Sequence, residues 1–484
     1  MCKSEGELLS DWMPLSQQLS QSTIRPEHLV NPFCNILNCT SKTAKEYPDL
    51  FGKKTSLWRF LNSLTGATVA WARSCFYWPI AIPLNLPNKH VDVVIISHLT
   101  NINHLNEKTD FYFGDLAERL EDEGLSTHTV LINHARAGRQ RSLSKGKSVL
   151  PAFLSPLMEA SILLKLALGI FTFPRGNSVK SRRFHHLARL AQFGSRAIGD
   201  YRIGIMLSKF VHCFSPKVVI HTYEGHGWER VLATAIHKMD IPAHVFGYQH
   251  AVIFPGPKAI LQNRGIAMPD HIFSTGEAAK KILVHDGEIP SKHFSILGSS
   301  KAVSTDSSPQ FKATGACLIA PEGTLSEVML MAGMGLDAAR TNPEQQFVLR
   351  LHPVLPYQQV VDALAQFHPI PENFVLSQES LDEDLRRSSW LCYRGSTVSF
   401  QGILAGLRPI YLDPDQSVAT NDPLPQDLAF RRHCVSGDEI NTVISCDKSI
   451  PKPDQTELKQ ALAFAMSYLM PFNPDELIEK IKTL

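Results

Sequence analysis

The chain has 484 residues, of which 44% are hydrophobic, 19% charged and 8% aromatic. This length suits two domains with separate cores, and the composition excludes a disordered or fibrous protein. A formal net charge of +2 excludes the dominant basic face of a general nucleic-acid binder, so no nucleic-acid partner is expected.

The cysteines predict a reducing compartment. All nine are scattered, without a C-x-x-C pair or a zinc-like spacing, which favours a cytoplasmic protein without a metal site. Residues 1–18 lack the basic start and apolar core of a secretory signal.

Residues 1–90 are predicted to form a helical and irregular extension packed on the first domain, with short helices at Leu57–Leu61 and Ala70–Ala72. Short β-branched runs then alternate with helical patterns, as in a parallel sheet covered on both faces. They indicate a Rossmann-like domain over residues 91–300. The predicted strands are Val91–Ile96, Thr129–Ile132, Lys217–His221, Ala243–Phe246, His271–Phe273 and Phe294–Leu297.

The most apolar stretch, Leu150–Phe173, is interrupted by prolines and charges, and about a dozen uninterrupted apolar positions are too few for a membrane span of roughly 20. Basic residues flank it at Arg136–Lys147 and Lys180–Arg183. Such flanks could hold the protein peripherally on an anionic inner membrane. We favour the alternative, a helix buried in the first domain.

The polar, Ser-rich stretch Ser299–Thr314 is the candidate linker, and the alternation then restarts in a second Rossmann-like domain, residues 315–450, followed by C-terminal helices in 451–484. Two doubly wound α/β domains leave an inter-domain cleft at the carboxyl ends of their strands, where ligands bind. Neither domain carries a dinucleotide-binding or Walker-type glycine motif. The predicted strands are Ala316–Ala320, Gln346–Leu351, Asn373–Leu376, Trp390–Tyr393 and Pro409–Leu412.

The residues that follow two strands of the second domain are suited to binding an anion. The sequence Arg350-Leu-His352-Pro353 ends one strand and can turn an imidazole and backbone N–H groups toward a phosphate, although a structural His-Pro turn is the alternative. After the next-but-one strand, Gly395-Ser396-Thr397 opens a helix and offers N–H donors, hydroxyls and a positive dipole end. Simple helix capping is the alternative there.

This pairing resembles the His-Pro and Ser-Ser/Thr motifs of bacterial GT-B transferases that use CMP-activated sugars, the sialyltransferases and Kdo (3-deoxy-D-manno-octulosonate) transferases of capsule and lipopolysaccharide synthesis. The resemblance implies a GT-B fold and a nucleotide-sugar site in the second domain. The donor-binding residues would be Arg350, His352, Gly395, Ser396 and Thr397, with Gly323 where GT-B donor domains approach the nucleotide. For Gly323, a plain turn is the alternative.

The same families carry a catalytic acid before a glycine in the first domain, usually as Asp/Glu-Asp/Glu-Gly. Glu224-Gly225 follows the strand Lys217–His221 and matches the second acid, whereas Tyr223 replaces the first. A carboxylate there can take the proton of an acceptor hydroxyl, and capping of the next helix is the alternative. Glu229 suits the first turn of that helix.

Polar residues at two other strand ends are expected to line the same cleft. Gln249 and His250 follow one strand and could contact the acceptor or a donor carboxylate, or be satisfied within their loop. The polar loop Ser97–His104 should face the acceptor.

The predicted function is transfer of Kdo or a related nonulosonic acid from a CMP-sugar to a glycan or lipid-linked acceptor, without a metal or other cofactor. Two alternatives stay open: a polymer transferase of the CDP-glycerol type, and a non-catalytic GT-B-like assembly protein.

Overall fold

The computed structural model describes most of the chain beyond residue 90 and parts of the chain before it. The described residues are 15, 18–19, 25–31, 33, 56–78, 90–135, 146–151, 154–239, 242–254, 260, 265–287, 289–302, 309–352, 355–414, 422–450 and 455–484. Pro353 and most of the basic stretch Arg136–Lys147 lie outside them.

The first domain is built on a seven-stranded sheet in which every strand pair is parallel, in the order β3-β2-β1-β4-β5-β6-β7. Its central strands are buried on both faces because they consist of β-branched and aromatic residues. The strands are β1 (Val93–Leu99), β2 (Thr127–Asn133), β3 (Lys147–Val149), β4 (Val218–Thr222), β5 (His244–Gln249), β6 (His271–Ser274) and β7 (Phe294–Ile296).

Eight described helices precede or surround this sheet. One face of the sheet packs against a layer that includes α4, α6 and α7, and the other face packs against α3 and the last helix of the chain. The eight helices are α1 (Pro26–Leu29), α2 (Ser56–Tyr77), α3 (Leu116–Asp122), α4 (Pro156–Thr172), α5 (Val179–Ala191), α6 (Ser195–Phe214), α7 (Gly227–His237) and α8 (Glu277–Gly287).

The second domain has a six-stranded sheet, again parallel throughout, in the order β10-β9-β8-β11-β12-β13. The predicted fold class is therefore confirmed: α/β, with two Rossmann-like doubly wound domains, the GT-B arrangement. Its elements are β8 (Ala316–Ala320), α9 (Leu325–Thr341), β9 (Phe347–Leu349), α10 (Tyr357–Leu364), β10 (Phe374–Leu376), α11 (Leu381–Arg386), β11 (Ser388–Tyr393), α12 (Val398–Leu404), β12 (Arg408–Leu412), β13 (Arg432–Cys434) and α13 (Gly437–Ser449).

The C-terminal segment returns to the first domain. Helix α14 (Thr456–Tyr468) packs on α12 of the second domain and on α8 of the first, and α15 (Asp475–Lys482) packs on the first sheet. Between them, Ser299 donates its N–H to the Met470 carbonyl at 2.8 Å, and Asn473 donates to Leu297 at 2.8 Å. Gly298 permits this approach, because a Cβ there would lie 2.0 Å from the Pro471 carbonyl oxygen.

Two expectations for helices in the first half of the chain were wrong. The two short helices expected near Leu57 and Ala70 are a single helix, α2, because the intervening Gly66 lowers helix propensity by only about 1 kcal/mol. The apolar stretch around α4 is buried on one face only, and Leu157 on the opposite face is 84% exposed. In the described part of the chain, no helix combines the length and apolar character that a membrane crossing requires.

Candidate functional site

The sequence around Glu224 lies at the switch point of the first sheet. Strands β1 and β4 are neighbours there, and the chain leaves them toward opposite edges of the sheet, which opens a crevice at their carboxyl ends. Glu224 follows β4 by two residues and precedes Gly225, which has a φ of 85° that favours glycine. The acid predicted from the sequence is therefore in the crevice.

The Glu229 carboxylate holds this turn in place. It accepts the backbone N–H groups of Glu224 at 3.0 Å, Gly225 at 2.7 Å and His226 at 2.9 Å. The N-cap of α7 is His226 and the third helical residue is Glu229, so Glu224 does not cap the helix. Burial raises the pKa of Glu229 to about 8, although His226 and the N–H donors oppose that shift.

Two imidazoles bind the Glu224 carboxylate, one at each oxygen. His250 Nε2 lies 2.9 Å from Oε1, and His226 Nε2 lies 3.2 Å from Oε2. Burial raises the pKa of Glu224, but the hydrogen bonds and charges of His226 and His250 outweigh burial and hold that pKa well below its ordinary value. Burial acts on His226 too, yet Glu224, Glu229 and Asp200 raise the pKa of His226 to about 9. Near neutral pH, Glu224 is an anion beside an imidazolium.

A second histidine pair lies next to this group. His98, in β1, places Nε2 2.7 Å from the Thr222 hydroxyl and Nδ1 2.8 Å from Nε2 of His134. Burial, followed by the neighbouring His134, lowers the pKa of His98 well below its usual value, and burial lowers the pKa of His134. These imidazoles are neutral at neutral pH and link β1 and β2 to the end of β4.

Aromatic rings connect Glu224 to a lysine at the domain boundary. The ring of Tyr112 lies 4.6 Å from that of His250 and 5.0 Å from that of Phe111. The Lys301 ammonium is 5.4 Å from the centre of the Phe111 ring. Burial lowers the pKa of Lys301, and the negative charge of Glu224 partly offsets that effect. Lys301 is thus a cation in the crevice that contains the acid.

Gln249 lies at the end of β5, beside His250. It is buried, and its side-chain amide nitrogen donates to the Ala251 carbonyl. Its carbonyl oxygen is buried and accepts no hydrogen bond within the described residues. Such an acceptor is available to a hydroxyl group of a ligand.

The second sheet has its own switch point, between β8 and β11. Gly323 follows β8, Gly395 follows β11 and His352 follows β9, which is the other neighbour of β8. Arg394, which is 2% exposed, places Nε 3.2 Å from Oε1 of Glu327 in the first turn of α9. This ion pair joins the turn at Gly395 to the turn at Gly323.

The turn at Gly395 leaves no room for a side chain at this position. Gly395 has a φ of 58°, and a Cβ there would overlap the Glu322 carboxylate, 1.4 Å from Oε1. The Ser396 hydroxyl accepts the N–H of Val398 at 3.3 Å. Thr397 is the N-cap of the seven-residue helix α12, and its side chain makes no capping hydrogen bond. Capping by these hydroxyls is therefore limited to one weak contact from Ser396.

The remaining predicted donor residues lie at the end of β9. Arg350 Nη1 donates to Asp384 at 2.7 Å and to the Glu379 carbonyl at 2.7 Å, so this guanidinium braces α11. His352 has an exposed surface, but desolvation by the atoms packed around its ring, followed by the charge of Lys301, lowers its pKa. The charge of Lys301, at the end of the first domain, therefore acts on an imidazole of the second domain.

The structure brings the predicted residues Glu224 and His250 together, and their roles stay predictions. The sequence analysis did not name several residues that surround them. Lys301 was assigned to a linker, and the roles of His98, His134, Tyr112 and His226 were not recognised. One signal was available: His226 follows an acid and a glycine directly after a buried strand. Among the described residues, no group of three or more His, Cys, Asp or Glu side chains could hold a metal ion.

Comparisons with known proteins concern the fold only. No protein-family model matches the chain, and no curated protein matches it. Similar solved structures include the UDP-GlcNAc 2-epimerase from Methanocaldococcus jannaschii, with 12% identity over 81% of this chain and 99% of that chain and a TM-score of 0.41. The glycotransferase of kitacinnamycin shares 12% identity over 81% and 99%, with a TM-score of 0.45. The wall teichoic acid polymerase TagF shares 9% identity over 88% and 98%, with a TM-score of 0.44. These values are too low to indicate a shared activity.

Proposed function

We propose that the chain is a metal-independent glycosyltransferase that moves Kdo or a related nonulosonic acid from a CMP-sugar to a glycan or lipid-linked acceptor in bacterial surface polysaccharide synthesis. The observation that carries the proposal is the Glu224 carboxylate at the switch point of the first sheet, which two imidazoles keep ionised. The charge of Lys301 interacts with that of Glu224 and also acts on His352 of the second domain. In such a transfer, which we place on the cytoplasmic side of the inner membrane, a base can take the proton of the acceptor hydroxyl and a cation can stabilise negative charge of the donor.

In the proposed step, the acceptor hydroxyl oxygen forms a bond to the anomeric carbon of the donor sugar. The bond from that carbon to the phosphate oxygen breaks, and CMP leaves with the electron pair. The hydroxyl proton goes to Glu224, which the neighbouring imidazoles keep ionised at neutral pH. His226 and His250 fix the orientation of the carboxylate by binding one oxygen each.

The departing phosphate gains negative charge, and the second domain offers groups that would stabilise it. His352, with a lowered pKa, would act as a neutral N–H donor, and the hydroxyls of Ser396 and Thr397 are half-exposed at the turn after β11. The Glu322 carboxylate now packs on Gly395 and would have to leave that turn before a phosphate binds there. Gly323 and Gly395 would allow the backbone to approach the nucleotide, and Arg350 would support the site through Asp384.

Lys301 favours an acidic sugar over glycerol as the transferred group. Its ammonium lies near Glu224 and makes no ion pair with a carboxylate of the described residues. Nonulosonic acids carry a carboxylate next to the anomeric carbon, where a cation close to the base would bind it. A neutral donor group offers no such partner.

The deciding experiment combines donor assays with Glu224→Gln. The wild-type chain should turn over a CMP-sugar from a panel of nonulosonic acid donors. Glu224→Gln should lower kcat by about 10²–10⁴-fold and leave CMP binding intact. Glu344→Gln, an exposed acid on the second domain, is the matched control and should change neither.

Three results would contradict the proposal in different ways. Unchanged turnover in Glu224→Gln would remove Glu224 as the base. CMP binding without turnover of any donor would favour the non-catalytic assembly protein. Protection against thermal unfolding by UDP or GDP, but not by CMP, would show that the donor nucleotide is not CMP.

A further inference from the structure

Helix α4 exposes an apolar face to solvent. Its inner face buries Ile162 and Leu166, but on the outer face Leu157 is 84% exposed and Phe171 is 82% exposed. The outer face also carries Leu164 and Leu168. A helix in a globular protein normally presents polar residues on the face that leaves the core, so this outer face lacks the expected polarity.

Helix α2 contacts α4 and carries further exposed apolar side chains. Eleven of the 20 large apolar side chains exposed in the described part of the chain lie on these two helices or directly beyond α2. We call this set the apolar face. Its members are Leu61, Leu64, Val69, Trp71, Phe76, Tyr77, Trp78, Leu157, Leu164, Leu168 and Phe171. A concentration of this kind marks an interaction surface.

The charged residues in the segments that carry the apolar face are mainly basic. Residues 56–78 and 160–199 contain nine Lys and Arg residues and none of the 46 acidic residues of the chain. The acid within α4, Glu159, is buried and paired with Arg202 at 2.7 Å. Glu27, which packs against Gly169 of α4, is paired with Arg25 at 3.8 Å. The surface is therefore apolar with a basic margin and carries little negative charge.

We infer that the apolar face binds the surface of an anionic phospholipid bilayer. Lys165, Arg175 and Arg182 are exposed next to it and suit lipid headgroups, where each basic residue contributes about 1 kcal/mol. The apolar side chains suit the boundary between headgroups and acyl chains, where amphipathic helices lie in the membrane plane. Trp71, Tyr77 and Trp78 belong to the residue types that prefer this interface.

A second copy of the chain is a poorer occupant. In a two-fold dimer, the same surface meets itself, so the basic margin of one subunit would oppose that of the other. No acidic residue of these segments is available to neutralise that repulsion. Anionic lipid complements both features of the surface, and a second copy complements only the apolar one.

The inferred surface is connected to the crevice through a short structural path. His28, in α1, donates from Nε2 to the Gly169 carbonyl of α4 at 3.0 Å. Two residues later, Val30 packs against Gly227 at the start of α7, where a Cβ on the glycine would lie 2.9 Å from Val30 Cα. Membrane binding does not require the proposed reaction, so an experiment can contradict either proposal without contradicting the other.

The test is co-sedimentation of the full chain with phosphatidylcholine vesicles, with and without phosphatidylglycerol. We expect binding to the anionic vesicles, weaker binding at high salt because of screening, and at least about tenfold weaker binding to phosphatidylcholine alone. Brominated lipid should quench tryptophan emission in the wild-type chain, which tests contact without any substitution.

Two double variants separate the apolar and basic contributions. Leu164→Ser with Phe171→Ser, and Lys165→Glu with Arg175→Glu, should each weaken binding by at least about tenfold. The exposed residues Met466 and Lys459 provide matched controls on α14, Met466→Ser and Lys459→Glu, which should bind as the wild type does. Circular dichroism verifies that each variant is folded.

Two outcomes would overturn the inference. The first is absence of binding and of quenching with anionic vesicles, or binding that both double variants retain. The second is a concentration-dependent dimer in light scattering that Leu164→Ser with Phe171→Ser abolishes while vesicle binding persists, which would assign the apolar face to a second copy.

Discussion

Lys301 lies over the Phe111 ring at the boundary between the domains, and its charge acts on both Glu224 and His352. In the proposed transfer, Lys301 would bind one of two substrate anions: the carboxylate of the sugar, toward Glu224, or the phosphate of the nucleotide, toward His352. These two roles predict different affinities for CMP alone. Lys301 can therefore reveal which part of the donor lies next to the base.

Lys301→Met keeps the alkyl chain on Phe111 and removes the charge. If Lys301 binds the sugar carboxylate, the KM for a nonulosonic acid donor should rise about tenfold or more, because a charge-assisted hydrogen bond of roughly 1.5–3 kcal/mol is lost. The Kd for CMP, measured by calorimetry, should stay unchanged. Lys459→Met is the exposed control. A matching loss of CMP affinity would assign Lys301 to the phosphate instead.

At the level of elements, the turn from β4 to α7 concentrates charge in a small volume. Glu224 and Glu229 are five residues apart, and His226 lies between them. The folded chain raises the pKa of His226 from 6.5 to about 9, because the interaction with Glu224 outweighs burial. A group whose pKa is raised on folding stabilises the native state fully below its unfolded pKa, and this stabilisation is lost as the pH rises through its folded pKa.

His226→Asn should therefore lower the free energy of unfolding in a pH-dependent way. The difference from the wild type should be largest below pH 6.5, on the order of 2–3 kcal/mol, and should shrink as the pH approaches 9. Urea unfolding at a series of pH values measures this difference. His285→Asn, at a histidine that is 92% exposed, should give a small difference without this trend. A pH-independent difference for His226→Asn would contradict the raised pKa.

Both sheets could be predicted because their central strands are short β-branched runs between helical patterns. The exceptions, β3 and β13, are three-residue edge strands: β3 includes Lys147 and β13 includes Arg432, so neither has an apolar run to detect. Glu224 and His250 were predictable for a related reason. They follow β4 and β5, and the carboxyl ends of parallel neighbours meet at one edge of a sheet.

The rest of the crevice depends on contacts that local sequence does not encode. Lys301 lies in a polar, Ser-rich stretch, and its place in the cleft depends on a backbone bond from Ser299 to Met470, far along the chain. His98 and His134 come together because β1 pairs with β2 in one particular register. Neither contact leaves a trace in the composition or periodicity of the sequence, so neither could be predicted from them.

At the scale of the whole molecule, the last helix completes the core of the first domain. Leu477 and Ile481 of α15 pack in the same cluster as Val93 and Ile95 of β1. Gly276 and Gly298 allow the returning segment to approach, since a Cβ at Gly276 would lie 2.4 Å from the Ser467 carbonyl oxygen. The two domains are therefore linked by the chain between the sheets and by the C-terminal segment.

Leu477→Ala should thus destabilise a domain that ends some 180 residues earlier in the sequence. Leu477 is fully buried, and such a truncation costs about 2–5 kcal/mol because it leaves a cavity. The expected result is a lower free energy of unfolding together with faster hydrogen exchange in β1 and β4. Glu479→Ala, on the exposed side of the same helix, should leave both unchanged. A helix that completes the core cannot loosen without exposing the strands beneath it to hydrogen exchange. If Leu477→Ala increased exchange in α15 alone, α15 would therefore not be part of the core of the first domain.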